Sequence, residues 1–448
     1  MTQQGVRWSA EQVLALAPDA ASRKAGSKLA ASGPWSGTGC GDEGTVWGLC
    51  KGSGSKPYQT IVDMADPAAP AYRCSCPSRK FPCKHALGLL LLWAADPAAV
   101  PDGQQSPDWA AQWLDGRRQR ADRKETAATD GGTADAEAAR KRAERRAQRI
   151  DAGAAELERR LADLLRTGLA GAEQAGYALW EETAARMVDA QAPGLAARVR
   201  ELGAIPGSGP GWPVRLLEEC ALLHTLVQGW LRRDRLPAEL AATVRSRVGL
   251  TGSAEGPAVR DRWLVLAQYD TADARLTTRR IWVHGEESGR TALLLSYGAA
   301  GRAPELVLPT GLVLDAELSS YPGSGRPRAA LEKQFAAPAP STLRPPGLTT
   351  AEAAARYGDA LCHDPWLDSA PVTLEAVTPV PQAEGWQLAD SAGGAVPVTG
   401  SASPGPGFWR LVSLSGGAPL RVFGEYGHRG FTPLTAWPAG PGEPVTVR

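Results

Sequence analysis

The chain has 448 residues, of which 43% are hydrophobic and 22% are charged, and it contains 15 Trp. This composition excludes a disordered chain, and the length exceeds what one hydrophobic core usually organises, so we expect several compact units. Lys and Arg (49) almost cancel Asp and Glu (48), so the overall charge favours neither nucleic-acid nor membrane binding, and any basic binding surface must be local.

The apolar segments are short. The N-terminus has no apolar stretch of signal-peptide length, and the longest apolar run, LGLLLLWAA, cannot span a bilayer. We therefore expect a cytoplasmic protein without a membrane partner. Three of the seven cysteines lie with a histidine in one short stretch, which favours a metal site over a disulfide framework.

The pattern from residue 1 to 115 predicts one small α+β unit. A short helix at WSAEQVLALA precedes three β-like runs, TVWGLC, YQTIVDM and AYRCSC, and a helix at HALGLLLLWAA follows them. Residues 116–135 are charged and lack apolar periodicity, so they are predicted to be a linker.

Helical periodicity dominates from 136 to 250, which predicts a helical bundle. Its clearest stripe is Leu216, Cys220, Leu223, Val227 and Leu231. Period-two runs dominate after 250 and predict two β-rich units, 251–345 and 346–448, with one helix at TTAEAAARYGDAL. The chain is therefore expected to be an α+β multidomain protein with a mostly antiparallel C-terminal region built as a sandwich or a barrel-like sheet pair.

The segment CSCPSRKFPCKH contains the predicted metal ligands. It has the spacing C-x-C-x6-C-x-H, formed by Cys74, Cys76, Cys83 and His85. Residues two apart on a strand face the same side, and the C-x-H pair enters a helix, so all four can face one ion. Three thiolates and one imidazole fill a tetrahedral shell without an open position, which is typical of structural rather than catalytic zinc.

These residues resemble the SWIM zinc finger family, whose motif is C-x-C, a spacer, and C-x-H at the start of a helix. The resemblance covers roughly residues 40–95 and implies a ββα fold with one zinc on these four ligands. The stretch ARMVDAQAPGLA also resembles bacterial SWIM proteins of this length. The family is thought to bind DNA or proteins, and its bacterial members resemble components found beside MoxR-type ATPases and von Willebrand A domain proteins, which implies an adaptor role.

Basic residues surround the zinc motif and form a candidate surface for phosphates or for an acidic protein. They are Lys51, Lys56, Arg73, Arg79, Lys80 and Lys84. A second basic cluster is Arg140, Lys141, Arg142, Arg145, Arg146 and Arg149, which we interpret as a solvated helix face because Glu137 and Glu144 lie at compensating positions.

The remaining candidates have ordinary structural explanations. Cys40 and Cys50 lack two further ligands and are predicted to be packing residues. His224, one turn after Glu219 and Cys220, is predicted to be a buried or interface histidine. His363 and Asp364 could form a catalytic pair, but Asp before Pro after a helix also indicates a turn, which we favour.

The leading hypothesis is a non-enzymatic zinc-binding adaptor that recognises a protein partner, and the alternative is DNA binding through the basic residues near the zinc. The competing class is an enzyme with its site between residues 250 and 448. Against it, no acid, base and nucleophile have a recognisable spacing, and His284 and His428 show no partners in the sequence. A cleft that gathers His363, Asp364 or His428 with another ionisable group would favour the enzyme.

Overall fold

A computed structural model describes residues 7–448 except 9, 18–19, 42–43, 53, 55, 65–69, 79–81, 130–132, 251, 255, 273–275, 300–303, 305, 324–326, 337, 384, 401–404 and 441. The N-terminal elements are α1 Ala10–Ala15, α2 Ala20–Ser27, β1 Trp35–Cys40, β2 Thr45–Cys50, β3 Tyr58–Asp63, β4 Ala71–Cys74 and α3 Lys84–Ala95. The four strands form an antiparallel sheet in the order β1-β2-β3-β4. An α+β unit therefore lies near the N-terminus.

The helix α3 is the core of this unit, because its residues from His85 to Trp93 are all buried. One side packs on the sheet, and the other packs on α1 and α2. The contact with α2 and the residues after it is close, since a Cβ at Gly88 would lie 3.3 Å from the Gly26 carbonyl oxygen of α2 and 2.5 Å from Leu29 Cβ. A residue larger than glycine at this position would push the helices apart.

Two predictions for this region need correction. The sheet has a fourth strand, β1, in the Gly-rich stretch before Cys40. Glycine weakens strand signals in a sequence, but here it makes room for an aromatic ring, since a Cβ at Gly39 would lie 2.8 Å from Trp47 Cζ2. The predicted linker is helical over 116–129, because α4 spans Asp108–Thr129. The Arg, Lys, Glu and Ala residues of this segment are good helix formers. The segment is therefore helical although it is highly charged and lacks apolar periodicity.

The first turns of α4 cover the second face of the sheet. Ala110 and Leu114 are buried there with Trp47 and Ile61. The Arg117 guanidinium also bonds to the Asp63 carboxylate on β3, with Nε and Oδ2 3.2 Å apart. The sheet is therefore enclosed by α3 on one face and by α4 on the other.

Helices occupy the described part of the chain from there to Val248. They are α5 Thr133–Thr167, α6 Ala170–Asp189, α7 Pro193–Leu202, α8 Trp212–Leu231 and α9 Ala238–Val248. The first four residues of the predicted stripe are fully buried on α8, but Leu231 is exposed and Trp230 takes the interior position. The helix ends at this point, so its last residue no longer faces the core.

The next unit is a closed sheet. Its strands are β5 Val259–Ala272, β6 Leu276–Gly285, β7 Thr291–Ala299, β8 Leu312–Ser320, β9 Arg328–Gln334 and β10 Ala339–Pro340. Their order is β10-β8-β5-β6-β7-β9, and a further pairing of β8 with β9 closes the sheet into a barrel. All neighbouring strands are antiparallel except β7 and β9.

The last unit combines two helices with a six-stranded sheet in the order β13-β12-β11-β14-β15-β16. Its elements are α10 Thr350–His363, β11 Ser369–Gln382, β12 Gly385–Ala389, β13 Ala395–Pro397, α11 Pro406–Ser415, β14 Leu420–Gly427, β15 Gly430–Trp437 and β16 Val445–Thr446. The predicted helix at TTAEAAARYGDAL is confirmed as α10. A capping box between Thr349 and Glu352 fixes its start.

The stretch FWRLVSL belongs to the region after residue 250 that was predicted to be β-rich, but it lies in α11. Pro406 stands in the first turn, and Gly416 follows the helix with a φ of +51°. These are helix start and stop signals, and they outweighed the alternation of apolar residues.

The two β units share a core. Trp282 and Leu293 of the barrel pack with Phe423 and Trp437 of the last unit. The last unit also reaches the helical region, where Trp366 is buried and its Nε1 donates to the Leu222 carbonyl at 2.9 Å. Among the described residues, no helix combines the length and the apolar composition needed to cross a membrane.

Candidate metal centre

The four side chains predicted to bind zinc meet at one end of the sheet. Cys74 ends β4, Cys76 follows it, Cys83 is the residue before α3, and His85 lies in the first turn of α3. The sulfur and nitrogen atoms that these residues offer all lie within 4.8 Å of one another. The separation of Cys74 Sγ and His85 Nδ1 is 3.7 Å.

This geometry fits zinc. Around a tetrahedral ion, Zn–S and Zn–N bonds of about 2.3 and 2.0 Å place a sulfur and a nitrogen roughly 3.6 Å apart. The observed 3.7 Å is close to that separation. The chain therefore carries a structural zinc site with three thiolates and one imidazole. Because four protein ligands complete the shell, no position remains for a reactive water.

The thiols are electrostatically coupled. The hydrogen bond with Cys83 lowers the pKa of Cys74, although burial opposes it, and contacts with His85 and Thr60 lower this pKa further. The same hydrogen bond raises the pKa of Cys83, and burial raises the pKa of Cys76. Zinc binding requires the thiolate form of the three cysteines, so it releases thiol protons and its affinity depends on pH.

Residues outside the ligand set hold the ligands in place. Thr60 on β3 pairs with Cys74 in the sheet, and its hydroxyl oxygen is 3.3 Å from Cys74 Sγ. The ring of Tyr58 packs against the ring of His85, with centroids 4.8 Å apart. Sequence analysis did not single out Thr60, because its position opposite a ligand depends on strand register. Such outer contacts orient the ligands and tune their basicity.

Cys40 and Cys50 are packing residues, as predicted. Both are buried in the core of the unit, and neither belongs to the ligand group. Burial raises the pKa of Cys40 to about 11. Burial also raises the pKa of Cys50, and the charges of Cys74 and Cys76 add to this effect, so Cys50 lies near the site without joining it.

Three exposed lysines, Lys51, Lys56 and Lys84, lie around the zinc end of the unit, and we call them the lysine rim. Lys51 and Lys56 belong to the β2–β3 loop. This loop passes close to the ring of Tyr58, since a Cβ at Gly52 of the loop would lie 2.6 Å from that ring. Lys84 begins α3 beside His85, and its charge reaches Cys50 at the end of β2. The rim therefore lies on the loop before Tyr58 and on the residue before His85, at the same end of the sheet as the four ligands.

Of the other predicted basic residues, Arg73 does not join the rim. Arg73 is exposed, but it precedes Cys74 on β4 and so points to the opposite face of the sheet. The structure thus separates Arg73 from the zinc site. Arg79 and Lys80 lie outside the described residues.

The basic cluster on α5 is a solvated helix face except at Arg146, which is partly buried and donates to the Gln191 and Gly249 carbonyls. Lys141 pairs with Glu137 at 2.8 Å, and Arg140 approaches Glu144 at 3.8 Å, both four residues apart on exposed positions. Arg149 instead bonds to the side chain of Gln191. Arg142 and Arg145 are exposed on the same helix.

The histidines have structural surroundings. The ring of His224 is half-exposed, and its Nδ1 is 2.8 Å from Glu158 on α5, so it lies at a helix interface but is not buried. His284 is buried on β6, and burial lowers its pKa. His428 is exposed in the β14–β15 turn beside Arg429.

The segment after α10 is the predicted turn, since the Leu367 amide donates to the Asp364 carbonyl at 3.0 Å. Sequence analysis missed the role of the Asp364 side chain. It is completely buried and accepts from Arg247 of α9, whose Nε lies 3.1 Å from both carboxylate oxygens. The two residues are 117 positions apart, so no local signal could reveal the pair.

Comparison with known families finds two matches. The SWIM zinc finger matches residues 59–94, which include all four ligands. The SWIM-associated four-helix bundle domain matches residues 145–248, which run from α5 to the end of α9. Neither the comparison with curated proteins nor that with solved structures finds a match.

Proposed function

Because this chain is a SWIM zinc finger protein, we propose that it is a non-enzymatic adaptor whose zinc site fixes a ββα unit that recognises a protein partner. The unit consists of β3, β4 and α3, and zinc joins the end of β4 to the start of α3. The proposal rests on the set of four protein ligands, because a full coordination shell gives zinc a structural role. Recognition must then depend on the protein surface that zinc stabilises.

The lysine rim is the part of that surface best suited to recognition. Its three cations are exposed on the loop before Tyr58 and at the start of α3, and the partly exposed Tyr58 ring packs on the buried ring of His85. Such a surface fits an acidic patch on a protein. MoxR-type ATPases and von Willebrand A domain proteins, which the family resemblance implies, are the first candidates.

DNA is the alternative partner, and the lysine rim could also meet phosphates. The position of Arg73 weakens this alternative, because a basic residue on the opposite face cannot extend the same phosphate-binding track. The near-neutral net charge of +1 also favours a protein partner.

An enzyme is the third candidate, and the structure has a cleft that includes Asp364. Both carboxylate oxygens of Asp364 accept from Arg247, so this residue is engaged in an ion pair and is not available as a general acid or base. The proposal of a non-enzymatic protein rests on this engagement and on the full zinc shell.

The test compares three forms of the full-length protein in affinity purification from the native cell. One form is unchanged, one carries Lys51→Glu, Lys56→Glu and Lys84→Glu, and one carries Arg73→Glu as a matched charge reversal on the other sheet face. We expect the rim variant alone to lose a specific protein partner while it keeps its zinc. If the rim variant retains every partner of the unchanged protein, the rim does not recognise a protein.

A mobility-shift assay with duplex DNA at two salt concentrations distinguishes DNA binding from recognition of a protein partner. DNA binding that weakens steeply with salt and disappears in the rim variant would establish DNA as the partner. The protein-partner proposal predicts no such binding by the full-length chain.

A further inference from the structure

A cleft lies where the helical region meets both β units. Its volume is about 490 Å³, which is within the range of small-molecule sites. One wall is the end of α9, a second is formed by β6, β7 and the β8–β9 turn, and the third is the segment after α10. The turn comes close to α9, since a Cβ at Gly323 would lie 3.5 Å from the Thr243 amide nitrogen. Junctions between units are common places for ligand sites.

The inner end of the cleft is rigid. Arg247 and Asp364 close it with side chains that are 5% and 1% exposed. Deeper in the barrel wall, Trp282 Nε1 donates to Glu425 Oε1 at 2.8 Å, and Arg280 Nε donates to the Tyr269 hydroxyl oxygen at 2.9 Å. These bonds fix the wall before any ligand arrives, which reduces the entropy cost of binding.

The cleft carries excess positive charge. Its lining contains four arginines and two aspartates, namely Arg245, Arg247, Arg280, Arg328, Asp364 and Asp368. Arg247 is neutralised by Asp364, and Arg280 lies 3.6 Å from Glu425. Within the described part of the chain, neither Arg245 nor Arg328 forms an ion pair. Two cations therefore face the cleft with Asp368 as the remaining acid.

Arg328 is also oriented. Its guanidinium carbon lies 4.2 Å from the centre of the Tyr321 ring. Stacking of this kind holds the guanidinium plane while its N–H groups remain able to bind an anion in two-point fashion. Leu293 and Leu295 of β7 add an apolar surface to the same cleft.

We propose that this cleft binds a small organic anion. The acidic group meets Arg328, with Arg245 supplying the second positive charge, and the apolar part packs against the leucines of β7. A carboxylate or a phosphate group would pair with the two arginines. A hydrocarbon portion of the same molecule would pack on the apolar wall. This site is separate from the zinc site and does not depend on the partner of the finger.

The test uses the full-length zinc-loaded protein and a matched pair of fluorescent probes. One probe is 8-anilinonaphthalene-1-sulfonate, an aromatic anion, and the other is N-phenyl-1-naphthylamine, which has the same rings without the charge. Titrations are run with the unchanged protein, with Arg328→Gln, with Arg245→Gln, and with Arg232→Gln as a control, because Arg232 is exposed outside the cleft.

We expect saturable binding of the anionic probe that weakens roughly tenfold or more in Arg328→Gln, because a charge-assisted contact is lost, and also weakens in Arg245→Gln. Arg232→Gln should bind like the unchanged protein, and the neutral probe should not distinguish the four proteins. Equal binding of the anion to all four proteins would overturn the proposal. A parallel loss of the neutral probe in Arg328→Gln would also overturn it, because the loss would then reflect damaged packing.

Discussion

Replacement of Asp364 by Asn tests how the helical region is joined to the C-terminal unit. The carboxylate accepts from two nitrogens of Arg247 and from the Trp366 amide at 3.2 Å, and all of these groups are buried. The substitution keeps the shape but leaves the guanidinium buried without a counter-charge. Removal of one partner from a buried ion pair costs about 3–5 kcal/mol.

Hydrogen–deuterium exchange of α9 and α10 measures this loss without requiring the whole chain to unfold in one step. A cost of about 3 kcal/mol accelerates exchange in these helices by more than roughly a hundredfold. The matched control is Asp315→Asn, which breaks a two-point pair with Arg260 at 2.8–2.9 Å on the exposed barrel surface. Asp315→Asn should accelerate hydrogen exchange much less, because water solvates the charge that remains on Arg260.

A double variant, Arg247→Met with Asp364→Leu, separates the buried charge from the packing. Slow exchange should largely return, since apolar residues of similar volume can replace a buried ion pair. Exchange in α9 that is equally slow in Asp364→Asn and Asp315→Asn would refute the reasoning.

Four further substitutions test the structure. Cys83→Ser should lose zinc by elemental analysis and accelerate exchange in the sheet and α3 while the C-terminal units stay folded; unchanged zinc content would contradict the ligand assignment. Burial of Asp261 raises its pKa, but hydrogen bonds from the β6–β7 turn more than offset this and leave the pKa below its usual value. A depressed pKa stabilises the fold above the unfolded value of about 4 and loses this effect as pH falls through the folded value, so acid titration of thermal stability should be flatter in Asp261→Asn. Gly88→Ala should lower the melting temperature through its contact with Leu29, whereas Gly358→Ala, in open space on α10, should raise it; the opposite order would contradict the close helix packing.

The sequence was sufficient for the zinc ligands because all four lie within twelve residues. Strand alternation places Cys74 and Cys76 on one side, and the helix start brings Cys83 and His85 to them, so the geometry is local. The α8 stripe and the start of α10 were predictable for the same reason. Where local signals conflicted, as in α11, the wrong pattern was chosen.

The tertiary structure decided everything that depends on distant neighbours. It placed Arg73 on the face away from the zinc, and it set Thr60 beside Cys74 through strand register. It also joined Arg247 to Asp364 and gathered arginines from different units around one cleft. A charged residue in a sequence indicates only a cost of burial, and the partner that offsets this cost is fixed when distant segments pack together.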